Sequence, residues 1–187
     1  MKGDDVAQRA PTRPLYTEAE RQRRDATGWT LVQGILAPIQ FLVFAVSLVL
    51  VIRFLWTGAG HEAATVSIVL KTLLLYTIMI TGSLWEKAVF GRYLFAPPFW
   101  WEDAVSMVVL LLHTAYLVVA LTGLLDPRGQ VLLALVAYLT YVINAAQFVL
   151  KLRAARLGAA PPAERAVAMS ATASAGQRPI AAMELGR

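Results

Sequence analysis

Glu86, Glu102, Asp103 and His113 are the side chains of this sequence best suited to moving protons. Carboxyl and imidazole groups give and take protons under mild conditions, which is the chemistry of general acid–base catalysis. A second set, Lys71, Tyr76, Arg92, Tyr116, Asn144, Gln147 and Gln40, offers cations and hydrogen-bonding groups that could hold the polar substituents of a ligand. Cysteine is absent, so thiolate nucleophiles, thiolate metal sites and disulfides are excluded.

Most of these residues interrupt long apolar runs. The 187-residue chain carries four such runs, Leu31–Leu55, Ala63–Trp85, Ala104–Leu125 and Val131–Leu150. Each is close to the roughly 20 residues a helix needs to cross bilayer hydrocarbon. With a mean hydropathy of +0.59, this predicts an all-α membrane protein, a bundle of four transmembrane helices with no soluble catalytic domain.

Basic residues set the expected orientation. Arg9, Arg13, Arg21, Arg23 and Arg24 precede the first run, Lys87 and Arg92 lie between the second and third, and Lys151, Arg153 and Arg156 follow the fourth. Cytoplasmic loops are rich in Lys and Arg, so both termini and the middle loop are expected in the cytoplasm. A net charge of +5, concentrated at the chain ends, suits anionic membrane lipids and gives no sign of nucleic-acid binding.

Three regions follow. Residues 1–16 read as a disordered N-terminus, 17–157 as the four-helix domain with a short interfacial helix in front, and 158–187 as a disordered Ala/Pro-rich tail. Thr17 and Glu20 have the spacing of a capping box. Thr57–Gly60 and Asp126–Gly129 read as outer turns, and Glu86 to Glu102 as the middle loop.

At 100° per residue the polar positions of each span fall on a narrow face. These faces are Gln33, Gln40 and Ser47; Thr65, Thr72, Tyr76 and Ser83; Glu102, Ser106, His113 and Tyr116; and Thr140, Asn144, Gln147 and Lys151. Four such stripes predict a polar interior, either as a packing seam or as a lined site. Alternatives stay open at single positions. Lys71 either snorkels to the outer interface or turns inward, and His113 is either a packing group or a ligand. The carboxyls either act on a substrate or pair with Lys87 and Arg92. Phe95, Phe99, Trp100 and Trp101 form an interfacial aromatic belt that could also rim the way in for a flat ligand.

Several strings carry a resemblance. They are Trp29–Gly34, Ala64–Val69, Trp85–Lys87, Phe90–Ala96, Trp101–Asp103, His113–Leu117 and Tyr141–Ala145, with Pro14–Thr17 before them. In this order they resemble the 3-vinyl (bacterio)chlorophyllide hydratases of purple phototrophic bacteria, from about Thr12 to Arg156. The resemblance implies a hydro-lyase of bacteriochlorophyll synthesis in the bacterial inner membrane, cytoplasmic or intracytoplasmic. Such an enzyme adds water to the C3 vinyl group of chlorophyllide a or its bacteriochlorin counterpart, giving a 1-hydroxyethyl group. The tetrapyrrole brings its own magnesium, so no further cofactor or protein-held metal is expected; lipids and other pigment-synthesis enzymes are the expected neighbours.

For that reaction the candidate roles are proton donation by Glu86 or Glu102 and water handling by Asp103 or His113. His113 alternatively serves as an axial ligand to the magnesium. Arg92 or Lys71 would clamp a propionate, and Tyr76, Tyr116, Asn144, Gln147 and Gln40 would line the site. The rival from another class is a non-catalytic pigment-binding or assembly protein. A b-type haem protein fits poorly, because His61 falls at the outer turn, away from His113. A cation exporter would need a deep carboxylate.

Overall fold

The structure, a computed structural model, describes residues 15–158. The expectations of disorder for residues 1–14 and 159–187 lie outside the described residues. Five helices follow one another: α1 (Glu18–Ala26), α2 (Gly28–Thr57), α3 (His61–Phe90), α4 (Trp100–Thr122) and α5 (Pro127–Gly158). Four of them are long and apolar enough to cross a membrane: Gly28–Thr57, His61–Phe90, Trp100–Thr122 and Pro127–Arg153. The chain divides into two units, Met1–Val149 and Leu150–Arg187. Everything argued below about the site lies in the first; of the second, only the end of α5 is described.

Local chemistry explains where each helix starts and stops. The Thr17 hydroxyl accepts from the Glu20 amide at 3.3 Å, and the Glu20 carboxylate accepts from the Thr17 amide at 2.8 Å, closing the expected capping box. Thr27 then caps α2, so α1 turns directly into the first long helix. Gly58 and Gly60, with φ of 71° and 87°, make the tight α2–α3 turn in a backbone region that favours glycine.

Two boundaries differ from expectation. Asp126–Gly129 is the start of α5 rather than an outer turn. Asp126 Oδ1 accepts from the Gly129 amide at 3.0 Å, and Pro127 sits at the first helical position, where its missing N–H costs nothing. Likewise, Glu86 and Glu102 belong to helices, since α3 runs on to Phe90 and α4 begins at Trp100. The true loop is residues 91–99.

Only 22–28% of the most apolar window of each long helix is buried. The outward faces carry Leu31, Leu42, Val49, Leu111, Leu121 and Leu139, all exposed. A water-soluble protein rarely leaves so continuous an apolar surface; such a surface suits a membrane-spanning bundle. The polar stripes turn the other way. Gln40, Ser47, Lys71, Thr72, Ser106, His113 and Asn144 are all buried.

Hydrogen bonds across the interior set the register. Trp85 Nε1 donates to Thr30 at 3.0 Å, Gln33 donates to Thr81 at 2.7 Å, and Ser47 and Ser67 share a bond of 2.7 Å, fastening α2 and α3 as an antiparallel pair. The Tyr138 hydroxyl reaches Ser47 and Asn144 reaches Ser106, bringing α5 against α2 and α4. Each such bond contributes about 0.6 kcal/mol in a membrane, so their main effect is alignment. Ala64, Ala134 and Ala137 are fully buried, and their small side chains let the backbones approach.

Candidate active site

The end of the bundle nearest α1 is floored by aromatic rings. Tyr16 stacks on Phe90 with centroids 5.8 Å apart, Phe99 stacks on Phe148 at 5.9 Å, and the Trp85 edge meets both Phe90 and Phe99. Tyr16, grouped with the N-terminal segment on sequence grounds, is therefore part of the fold. Arg24 lies over its ring at 4.9 Å.

Just inside this floor sit the carboxyls. The last turns of α3 carry Glu86 and the first turn of α4 carries Glu102 and Asp103; all three are buried. The loop folds back over them. The Phe95 amide donates to Asp103 Oδ2 at 2.7 Å, and the Ala96 amide donates to Glu86 Oε2 at 3.2 Å. The Glu86 and Asp103 carboxyls are close neighbours. Carboxylate oxygens are acceptors only, so a proton on either group would let it donate to the other. A carboxyl protonated beside an apolar interior could serve as an acid.

One turn further along α4 lies an amide layer. Asn144 Nδ2 donates to Ser106 Oγ at 2.7 Å. Phe44 packs on Tyr141 with centroids 5.0 Å apart. Gln40 precedes Phe44 by one turn of α2 and Asn144 follows Tyr141 by nearly one turn of the antiparallel α5, which places both at the same level. Among the described residues, Gln40 Oε1 and Nε2, Asn144 Oδ1 and Gln147 Oε1 are buried without a hydrogen-bond partner in the protein.

A third layer lies deeper. Lys71 Nζ donates to His113 Nε2 at 2.6 Å, while His113 Nδ1 donates to the Val109 carbonyl at 2.8 Å. Lys71 also sits over the Tyr141 ring at 4.0 Å and the Tyr138 ring at 5.2 Å. Lys71 thus turns inward rather than snorkelling. Both His113 nitrogens are engaged, Nδ1 as donor and Nε2 as acceptor, so the one lone pair is not offered to a magnesium ion or a water in this arrangement. From Asp103 to His113 the α4 rise is about 15 Å, which separates the histidine from the carboxyls.

The remaining candidates are placed apart. Arg92 is exposed in the loop. Tyr76 bonds Thr114 at 2.8 Å on the half-buried outer edge of the α3–α4 seam. Tyr116 is buried beside Thr65, at the far end of the interior from the carboxyls. Neither Lys87 nor Arg92 is seen to pair with Glu86, whose oxygen is taken by the loop amide. Tyr138 and Tyr141 were missed from sequence; their spacing of three and six before Asn144 on one helical face was the signal.

Comparison with known proteins decides the family. The family model of 2-vinyl bacteriochlorophyllide hydratase (BCHF) matches residues 16–154, which takes in the carboxyl, amide and lysine–histidine layers together. The chain belongs to this hydratase family. It is 68% identical to the 2-vinyl bacteriochlorophyllide hydratase of Rhodobacter capsulatus over 146 residues, covering 78% of this chain and 85% of that protein. It is 66% identical to the one from Cereibacter sphaeroides over 149 residues, covering 79% and 92%. No solved structure matches it.

As a hydratase the protein is a hydro-lyase, an enzyme that adds water to a double bond. Such a reaction asks for a proton donor and an ordered water. The hydratase holds a buried carboxyl pair and, near it, amides with buried unpaired atoms.

Proposed function

We propose that this hydratase adds water to the C3 vinyl group of chlorophyllide a or of the corresponding bacteriochlorophyllide, giving the 3-(1-hydroxyethyl) product. Position 2 in the family name is C3 in current tetrapyrrole numbering. The observation that carries the reading is the buried Glu86–Asp103 carboxyl pair under the returning loop, set in a chain of this family.

The chemistry needs no redox step. A carboxyl proton goes to the terminal vinyl carbon, and positive charge forms on the carbon attached to the ring, where the π-system delocalises it. Water then bonds to that carbon and gives up a proton. Glu86 or Glu102 is the donor in this reading, and Asp103 takes part in returning the proton. General acid–base help of this kind is worth about 10²–10⁴-fold. The substrate carries its own magnesium, so no further cofactor enters. The exposed Arg92 is a cation open to a propionate carboxylate, whereas Lys71 is buried and held by His113; Tyr76 and Tyr116 are peripheral to the reacting group.

We place the protein in the bacterial inner membrane, cytoplasmic or intracytoplasmic, with both termini on the cytoplasmic side. The Lys and Arg distribution supports this orientation, and other enzymes of pigment synthesis would be its neighbours there. The test is incubation of the purified protein with chlorophyllide a. A product heavier by one water is expected. Pigment that stays bound in stoichiometric amount and unchanged would overturn the reading in favour of a carrier.

A further inference from the structure

We propose that Gln40, Asn144 and Gln147 hold the water molecule that is added to the vinyl group; this rests on the hydration reading above. Gln40 is 2% exposed and Asn144 9% exposed. Between them and Gln147, three amide oxygens and one amide NH₂ have no hydrogen-bond partner among the described residues. Buried polar groups left without partners are costly, so a set of four on two facing helices points to a ligand.

The inventory of these atoms identifies the ligand. Asn144 Nδ2 is committed to Ser106, which leaves three buried acceptors and Gln40 Nε2 as the buried donor without a partner; Gln147 Nε2 belongs to a half-buried residue. A ring ketone or ester could use that donor but would leave all three oxygens unpaired. A carboxylate would set its charge against those oxygens. Water has two O–H donors and lone pairs to accept, and a buried water typically makes two to four such bonds. One water can therefore pair two of the three oxygens and accept from Gln40 Nε2, which a substrate carbonyl cannot do.

The set is also in the right place. Ser106 lies three residues beyond Asp103 on α4, about 4.5 Å of rise from the carboxyl pair. An amide is too weak a base to take a proton, so these residues position the water. In the balanced step the vinyl π electrons form a C–H bond with the carboxyl proton at the terminal carbon. A lone pair of the held water forms the C–O bond at the ring-side carbon, and the O–H proton released restores the carboxyl. Nothing is oxidised or reduced. Because the water approaches from one fixed side, the new alcohol carbon forms with one handedness.

The experiment replaces Gln40 and, separately, Gln147 by Met, which keeps length and burial but removes the polar atoms. Turnover, KM for the vinyl pigment and the epimer composition of the product are measured. We expect kcat to fall at least about tenfold with KM changed less than about threefold, and the product to become a mixture of epimers. A raised KM with kcat and epimer composition kept would overturn the proposal, since the amides would then bind the macrocycle. Unchanged kinetics and stereochemistry would overturn it in favour of packing. Gln147→Met, at a half-buried position, carries the test if Gln40→Met does not fold. A wild-type protein that yields no hydrated product would instead overturn the hydration reading itself.

Discussion

Lys71 on α3 donates a hydrogen bond across 2.6 Å to Nε2 of His113 on α4, and both side chains are wholly buried. The bond joins two helices that meet along few other polar contacts, and it fixes the histidine tautomer through the opposite bond to Val109. Its consequence is stability more than chemistry. His113→Ala leaves a buried amine without its partner and should cost about 3 kcal/mol. Lys71→Met combined with His113→Phe removes both partners and should be closer to wild type than His113→Ala alone. Thermal unfolding in detergent measures this. With Lys71→Met and His113→Phe also made singly, a double variant whose loss equals the sum of theirs would show that the residues are not coupled.

The carboxyl pair makes the prediction for activity. Glu86→Gln keeps an oxygen for the Ala96 amide but removes the acid, so the protein should fold and lose about 10²-fold or more of its hydration rate. Glu102→Gln, tested beside it, identifies whether the neighbouring acid contributes. Consumption of vinyl pigment by membranes of each variant is the assay. Full activity in both would remove carboxyl acids from the mechanism.

Tyr16 gives a pH dependence outside the spans. Burial raises its hydroxyl above the ordinary 10.0, with Arg24 pulling partly the other way. The folded state therefore prefers the neutral phenol. The stability this contributes is complete below pH 10, the unfolded value, and is lost as pH rises from there toward the higher folded value. Tyr16→Phe cannot ionise, so its thermal midpoint should fall less steeply than wild type above about pH 10. Parallel curves would mean that the phenol titrates equally in both states.

Phe95 holds φ at 58°, a region that residues with a Cβ rarely occupy, while its amide is fixed on Asp103. Phe95→Gly should hold or raise stability, and Phe95→Val should lower it by about 1–2 kcal/mol. Equal losses in both would show that the ring, which lies 5.9 Å from that of Trp100, matters more than the backbone.

Much of this was readable from residues alone. The four spans, the Thr17–Glu20 box and the inward stripes came from run length, cap chemistry and the helical period, all local properties. The grouping of Gln40, Asn144 and Gln147 on inward faces followed from the same period. The length of the middle loop was overread, because the prolines and glycine between Glu86 and Glu102 made one long loop of them, although Glu102 also fell on the helical face of Ser106, His113 and Tyr116. The family resemblance rested on strings that the family comparison then matched as a whole.

The amino-acid sequence by itself determined how many helices there are, which face of each is polar and at what height each polar group lies. The tertiary structure alone decided the partners: Lys71 with His113, Glu86 with Asp103 and the returning loop, Asn144 with Ser106, and Gln40 with none in the protein. Helical periodicity assigns an angle and a height to each side chain. Which group it meets depends on how the helices are rotated and spaced against one another, and that follows from the packing of all of them together.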